Sequence, residues 1–260
     1  MARVLVTGSA DGLGRMAAEL LLEQGHAVVL HARNEQRAEA ARSVLPGAAG
    51  VVVADVSSLA GMRSAAEQAG ASGRFDAVVH NVAVGYRERQ RVETEDGLAQ
   101  VFAVNVLAPY VLTALLERPD RLVYLSSGIH RGGDPDLSDP QWERRRWNGS
   151  QAYADSKLFD LVLALAVARR WPDVRSNAVD PGWVPTQMGG AGAPDDLDQA
   201  HRTQVELAVG DGEAARGTGG LHYHLAPRQM HPAARSTEVQ EELLAYCAQA
   251  SGVPLPRALP

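Results

Sequence analysis

The chain has 260 residues, 45% of them hydrophobic and 22% charged, which is enough apolar content to bury the core of one α/β domain. Its net charge of -6 excludes the basic surface that a nucleic-acid partner requires. A lone cysteine, Cys247, rules out an internal disulfide. No charged segment, long apolar run and cleavage site follow Met1, so a cytoplasmic location is expected.

The first β-branched run, Arg3 to Thr7, stops at Gly8, and Leu13 to Gln24 then shows helical spacing. Between them lies Thr7-Gly8-Ser9-Ala-Asp11-Gly12-Leu13-Gly14. Glycines in such a strand-to-helix turn let backbone N–H groups approach a pyrophosphate, and the helix start adds free donors and a positive dipole end. A tight turn without a ligand gives the same pattern.

The next strand, Ala27 to His31, ends at Ala32-Arg33-Asn34. An acid here would grip the 2′-hydroxyl of NAD; none is present, and Arg33 can instead face the 2′-phosphate of NADP. Its alternative is a solvated arginine opening the helix Glu35 to Val44. Asp11, beside Gly12, would repel the same phosphate.

Strand and helix pairs continue with Gly50 to Ala54 and Ser58 to Ala69, then Phe75 to His80. This alternation predicts a Rossmann-type, doubly wound parallel sheet of about seven strands flanked by helices, with ligands beyond the strands' carboxyl ends. Asp55, Val56, His80 and Asn81 fall on that edge. Asp55 has two readings, an adenine contact or a helix N-cap for 57–59.

A long apolar helix covers Val101 to Leu116, interrupted by Asn105 and Pro109; neither it nor Leu161 to Ala168 is suited to span a membrane. Asn105 must be bonded to be tolerated there, holding either a backbone distortion or a water chain. The fifth strand, from Arg121, delivers the hydroxyls of Ser126 and Ser127 to the same edge.

Next comes Tyr153-Ala-Asp-Ser-Lys157. Lys157 is the only lysine, in a chain with 24 arginines. Four residues apart on a helix, Tyr153 and Lys157 share a face. A tyrosine that titrates near 10 needs roughly 4 kcal/mol of preferential phenolate stabilisation to work near neutrality, and a close cation acts in that direction.

Together Thr7-Gly8-x-x-x-Gly12-x-Gly14, Asp55-Val56, Asn105, Ser127, Tyr153-x-x-x-Lys157 and Asn177-Ala-Val-Asp-Pro181-Gly182-Trp-Val184 resemble the single-domain branch of the short-chain dehydrogenase/reductases. The likeness implies hydride transfer between a nicotinamide and a carbonyl or alcohol. It implies Tyr153 as general acid/base, with Lys157 lowering its pKa and bonding the nicotinamide ribose. It further implies Ser127 polarising the substrate carbonyl and Asn105 holding a relay water. The cofactor contacts would be Gly8, Ser9, Asp11, Gly12, Leu13, Gly14, Arg33, Asp55, Val56, Asn81, Val82, Ala83, Pro181, Gly182, Val184 and Thr186, with NADP(H) favoured over NAD(H). A homodimer or homotetramer through the helices around 101–116 and 153–167 is also implied.

Two departures stand out. His80-Asn81-Val82-Ala83 replaces the family's Asn-Asn-Ala-Gly, and Ser127 precedes Tyr153 by about twice the usual gap. The longer gap, with Trp142-Glu-Arg-Arg inside it, is similar to the retinol dehydrogenase-like and WW-domain oxidoreductase-like members, and points to a bulky apolar alcohol or ketone; a surface Ω-loop has the same signature. Trp183 and Met188 occupy the family's substrate-lid position, Trp183 as a pocket wall or a core residue.

Further on, Leu197 to Val209 reads as a helix and 219–224 as the last strand, with His222 and His224 on one face but too few ligands for a metal. A closing helix covers Thr237 to Ala250. One domain is expected over 1–252, followed by a loose Pro-rich tail at 253–260. The alternative to an enzyme is a non-catalytic NADP(H)-sensing module, which has no need of the Ser127, Tyr153 and Lys157 set.

Overall fold

The computed structural model describes residues 1–257. The sequence alternation becomes β1 (Arg3–Val6), α1 (Gly12–Glu23), β2 (Ala27–Ala32), α2 (Glu35–Val44), β3 (Gly50–Val53), α3 (Leu59–Ala71) and β4 (Ala77–His80). After β4 come α4 (Gln100–Phe102), a π-helical turn (Ala103–Leu107), α5 (Ala108–Leu115), β5 (Arg121–Leu125), α6 (Gly149–Arg170) and β6 (Arg175–Val179). The chain closes with α7 (Leu197–Val209), α8 (Glu213–Arg216), β7 (Leu221–Tyr223), β8 (Ala226–Pro227) and α9 (Thr237–Ser251).

The strands form one eight-stranded sheet in the order β3-β2-β1-β4-β5-β6-β7-β8. Seven are parallel, and the expected count is exceeded by β8, a two-residue antiparallel edge made by the turn at His224 and Leu225. That turn carries His224 off β7 and stacks it on Tyr223, so His222 and His224 do not share a strand face as expected. Between β1 and β4 the strand order reverses, opening the crevice in which such sheets take ligands.

One apolar layer packs α1, α2 and α7 on one face of the sheet; the other packs α3, α5, α6 and α9. α6 gives no polar face to solvent: every residue from Ala152 to Val167 is enclosed, and the charged ones among them, Asp155, Lys157 and Asp160, are paired. Its outer side is covered by α9, through Leu243, Leu244 and Cys247, and by the long segment before α6. The face expected to join subunits is therefore occupied within this chain.

The π-helical turn has a local cause. In a regular α-helix the ring of Pro109 would meet the carbonyl of Asn105 four residues earlier and offer it no N–H. Widening the helix over Ala103–Leu107 relieves that conflict, and the bond at its end runs from Ala108 N to Ala103 O.

The described part of the tail is docked and not loose. Tyr110 Oη donates to Val253 O at 2.9 Å, and Trp171 Nε1 donates to Pro256 O at 2.9 Å. Residues 258–260 of the expected tail lie outside the described residues.

Candidate functional site

The glycine turn is shaped by two different constraints. Gly8 has φ +64°, a conformation side chains resist. Gly14 has no room for a side chain: a Cβ there would lie 2.3 Å from Asn81 Nδ2 and 2.5 Å from Gly8 O. Asn81 fastens the loop, donating from Nδ2 to Thr7 O at 2.9 Å and to Gly8 O at 3.2 Å, while Val82 N donates to Thr7 Oγ1. Departure from the family's usual residues thus leaves this clamp in place.

From the other side His31 accepts from Gly8 N at Nδ1, 3.0 Å away, and bonds Ala54 O through Nε2. Burial holds its pKa below the usual imidazole value, consistent with a neutral ring that can accept at Nδ1. Ser9 is buried and its Oγ accepts from His31 N. His31 is a loop-fixing residue that the sequence reading did not single out. Its only sequence signal is a polar side chain at the end of a buried strand.

Asp11 precedes α1 without making a side-chain capping bond, so the first-turn N–H groups, including those of Gly12, Leu13 and Gly14, are open to a phosphate. Asp11 pairs instead with Arg37 at 2.6 Å. Arg33 is exposed at the end of β2, beside Asn34, which caps α2. Asp55 is exposed and accepts from Ser57 N at 3.0 Å, but the N-cap of α3 is Ser58, whose hydroxyl accepts from Gly61 N, so Asp55 is not the cap expected of it. Val56 lies buried below it.

Beyond the ends of β5 and β6 is a cavity of about 450 Å³. Leu13, Ser127, Tyr153, Pro181, Gly182, Trp183, Val184, Thr186 and Met188, all expected at the site, line it. Both strand-end serines border the cavity, but the Ser126 hydroxyl is committed, donating to Lys157 O at 2.7 Å, whereas the Ser127 hydroxyl accepts only a long bond from Ile129 N at 3.5 Å. Trp183 is 49% exposed, which excludes its core-packing alternative. Tyr153 Oη donates to Met188 Sδ at 3.7 Å, so the lid-position methionine rests on the tyrosine hydroxyl.

Lys157 lies beneath, with Nζ 5.7 Å from the centre of the Tyr153 ring. It donates to Leu125 O and to Asp160 Oδ2, both at 2.7 Å. Burial raises the pKa of Tyr153, and the nearby Lys157 charge opposes that rise without cancelling it. Burial also presses Lys157 down, but the charges of Asp160 and Tyr153 outweigh it and leave the ammonium above its ordinary value. Asp160 is pushed up to about 6 by burial, against the pull of Lys157.

Asn105 is fully enclosed and its side chain is spent on the protein. Oδ1 accepts from Val84 N at 2.8 Å, and Nδ2 donates to Val84 O and to Ser156 Oγ. Pro109, four residues on, has no N–H to offer the Asn105 carbonyl.

Asp180, from the motif that runs into Pro181, and Asp195, from the lid stretch, also line the cavity; Tyr86, Tyr223 and Arg228 join them and were not anticipated. Arg228 pairs with buried Asp180 at 2.5 Å and lies over the Tyr223 ring at 4.3 Å. Their wall is polar, at odds with a wholly apolar pocket. Of the long segment between Ser127 and α6, only Gly128 and Ile129 reach this cavity. Trp142 and Trp147 pack edge to face beside α6, under Arg145, which reaches Asp155 at 2.8 Å. The segment is therefore a packed cover on α6.

Known proteins resemble this chain over most of its length. Residues 8–212 match the family model described as Enoyl-(Acyl carrier protein) reductase. The chain is 44% identical to an uncharacterized oxidoreductase of Emericella nidulans, over 98% of this chain and 99% of that one. It is 40% identical to short-chain dehydrogenase chyC of Penicillium rubens, over 98% and 100%. Human retinol dehydrogenase 13 is 32% identical over 72% of this chain and 60% of its own length. An uncharacterized protein of Mycobacterium paratuberculosis superposes with a TM-score of 0.85 at 25% identity, covering 98% of this chain and 95% of that one. The protein belongs to the short-chain dehydrogenase/reductase family and is an oxidoreductase.

Proposed function

We propose that residues 1–252 form one NADP(H)-binding domain that interconverts a carbonyl and an alcohol, with Tyr153 as general acid/base. The observation that carries this reading is the convergence of Ser127 and Tyr153 on one cavity with the chain's only lysine buried behind the tyrosine. NADP(H) supplies or accepts the hydride when bound. The open N–H groups at the start of α1, beside the Gly8 turn, suit its pyrophosphate, and Pro181, Gly182, Val184 and Thr186 border the space for its nicotinamide.

Ser127 Oγ–H would bond the substrate oxygen, where charge develops as a ketone becomes an alkoxide, and Tyr153 Oη would pass it the proton. Lys157 keeps one of its three N–H groups for a ribose hydroxyl, because Leu125 O and Asp160 take the other two. The Asn105 carbonyl would hold a relay water. Arg33 at the end of β2 favours the 2′-phosphate. The polar wall of Asp180 and Arg228 opposite the aromatic rings of Tyr86 and Trp183 suits a bulky ketone that carries a hydrogen-bond acceptor as well as an apolar body.

The test is a fluorescence titration with NADPH and with NADH, followed by ketone reduction by the native protein and Tyr153→Phe. The expected result is tighter NADPH binding, kept in Tyr153→Phe, with turnover reduced by roughly 100-fold or more. Tight cofactor binding with no reduction of any carbonyl would leave a sensing module. Equal turnover in the two proteins would remove Tyr153 from its role.

A further inference from the structure

Asp160 has no part in the family's Asn, Ser, Tyr and Lys set, yet it touches that set's lysine. Its Oδ2 is 2.7 Å from Lys157 Nζ, and the two side chains are 3% and 2% exposed. They sit three residues apart on α6, so the helix itself fixes the pairing. A buried charge pair is held without the screening that weakens surface pairs.

We infer that Asp160 is a positioning residue for Lys157: it fixes where the ammonium sits and, by its negative charge, limits how strongly that ammonium draws Tyr153 toward the phenolate. The inference rests on the carbonyl-reductase reading above. Three N–H groups leave an ammonium free to rotate among partners. Leu125 O from β5 and Asp160 from α6 hold two of them, so the third has one remaining direction. The same carboxylate offsets the positive field at Tyr153. Asp160 accordingly keeps the tyrosine hydroxyl protonated at higher pH, the form that donates to a ketone.

The surrounding charges do not supply this effect by another route. Tyr153 is met by Tyr86, whose ring centre is 5.3 Å away, and by the field of Asp180 at the end of β6, which Arg228 compensates at 2.5 Å. On the β5 side is Tyr124, buried, bonded to Thr113 and stacked on neutral His80, with burial holding that phenol well above its ordinary value. Asp160 is the carboxylate in contact with Lys157.

The test compares the pH dependence of kcat for ketone reduction in the native protein, Asp160→Asn and Asp160→Glu, with Tyr153→Phe as control. Asn keeps an acceptor for Lys157 and removes the charge. The falling limb at high pH, where Tyr153 loses its proton, is expected to move down by about one pH unit in Asp160→Asn and to return toward the native position in Asp160→Glu. NADPH affinity should change less than about threefold in Asp160→Asn, because one acceptor replaces another. Should the Asn variant not fold, Asp160→Ser is smaller, neutral and tests the same shift.

Coincident limbs in native protein and the neutral variant would overturn the proposal and leave Asp160 a structural residue. A limb that persists unchanged in Tyr153→Phe, with native turnover, would overturn the underlying reading instead.

Discussion

Arg37, in the first turn of α2, pairs with Asp11 of the glycine turn at 2.6 Å across the mouth of the expected 2′-phosphate site. The sequence placed an acid where a phosphate would be repelled; folding brings a second arginine to that acid. Both side chains are more than a third exposed, so the pair itself contributes little stability, and its effect is on the local charge that a phosphate meets.

Arg37→Ala leaves Asp11 uncompensated and is expected to weaken NADPH by about 10-fold while changing NADH less than about threefold. Asp11→Ser has the opposite sign and should tighten NADPH by a few-fold, since it releases Arg37 toward the phosphate. Arg33→Ala should likewise weaken NADPH more than NADH. The measurement is a pair of fluorescence titrations at fixed ionic strength. Equal changes for both nucleotides in all three variants would place the phosphate elsewhere.

Replacing Lys157 by methionine separates its structural from its chemical role. The buried carboxylate of Asp160 would then have lost its ion-pair partner, at a cost of about 3–5 kcal/mol near neutral pH. Asp160 already titrates at about 6, above the ordinary carboxylate value, because of burial. Removing the lysine raises it further. A carboxyl whose folded pKa is raised contributes stability that is fully present below its unfolded pKa and lost as pH rises through the folded one. Lys157→Met is therefore expected to recover stability toward the native protein between pH 7 and 5. Urea unfolding at both pH values checks it, and a deficit that stays constant would show that Asp160 is solvated in the variant.

How far the sequence alone disclosed this molecule depended on whether a feature was local. Strand-to-helix alternation, the glycine turn and Tyr153 to Lys157 are patterns of a few residues, and each folds as its spacing dictates. α2 and α7 begin and end where the sequence placed them. Arg37 with Asp11, His31 with Gly8, and Arg228 with Asp180 join residues 23 to 48 positions apart, which no local period reveals. What covers α6 was not legible for a related reason. A helix as rich in apolar residues as α6 is from Leu161 to Ala168 must be covered, but its sequence does not say whether a second copy or a later segment of the same chain covers it.

That ambiguity leads to an expectation about assembly. The residues that would have formed a subunit interface are closed off by α9, the Trp142 to Trp147 segment and the docked tail. Glu241 of α9 is clamped by Arg169 and Arg170 at the end of α6, and Gln240 receives Arg169 Nε at 2.8 Å. Pairing two chains through α5 and α6 would require lifting α9 away and exposing Leu243, Leu244 and Cys247. Burying a side chain the size of leucine stabilises by roughly 1.5–3 kcal/mol, so the intramolecular cover is favoured over an exchange that needs a partner. The protein is expected to run with the mass of one chain, 27.7 kDa, in light-scattering chromatography. Cys247, enclosed and with its thiol pushed well above the ordinary range by burial, should resist alkylation until the protein unfolds. A dimer mass with Cys247 still protected would point to another surface. A dimer with Cys247 reactive would mean that α9 leaves α6 when two chains meet.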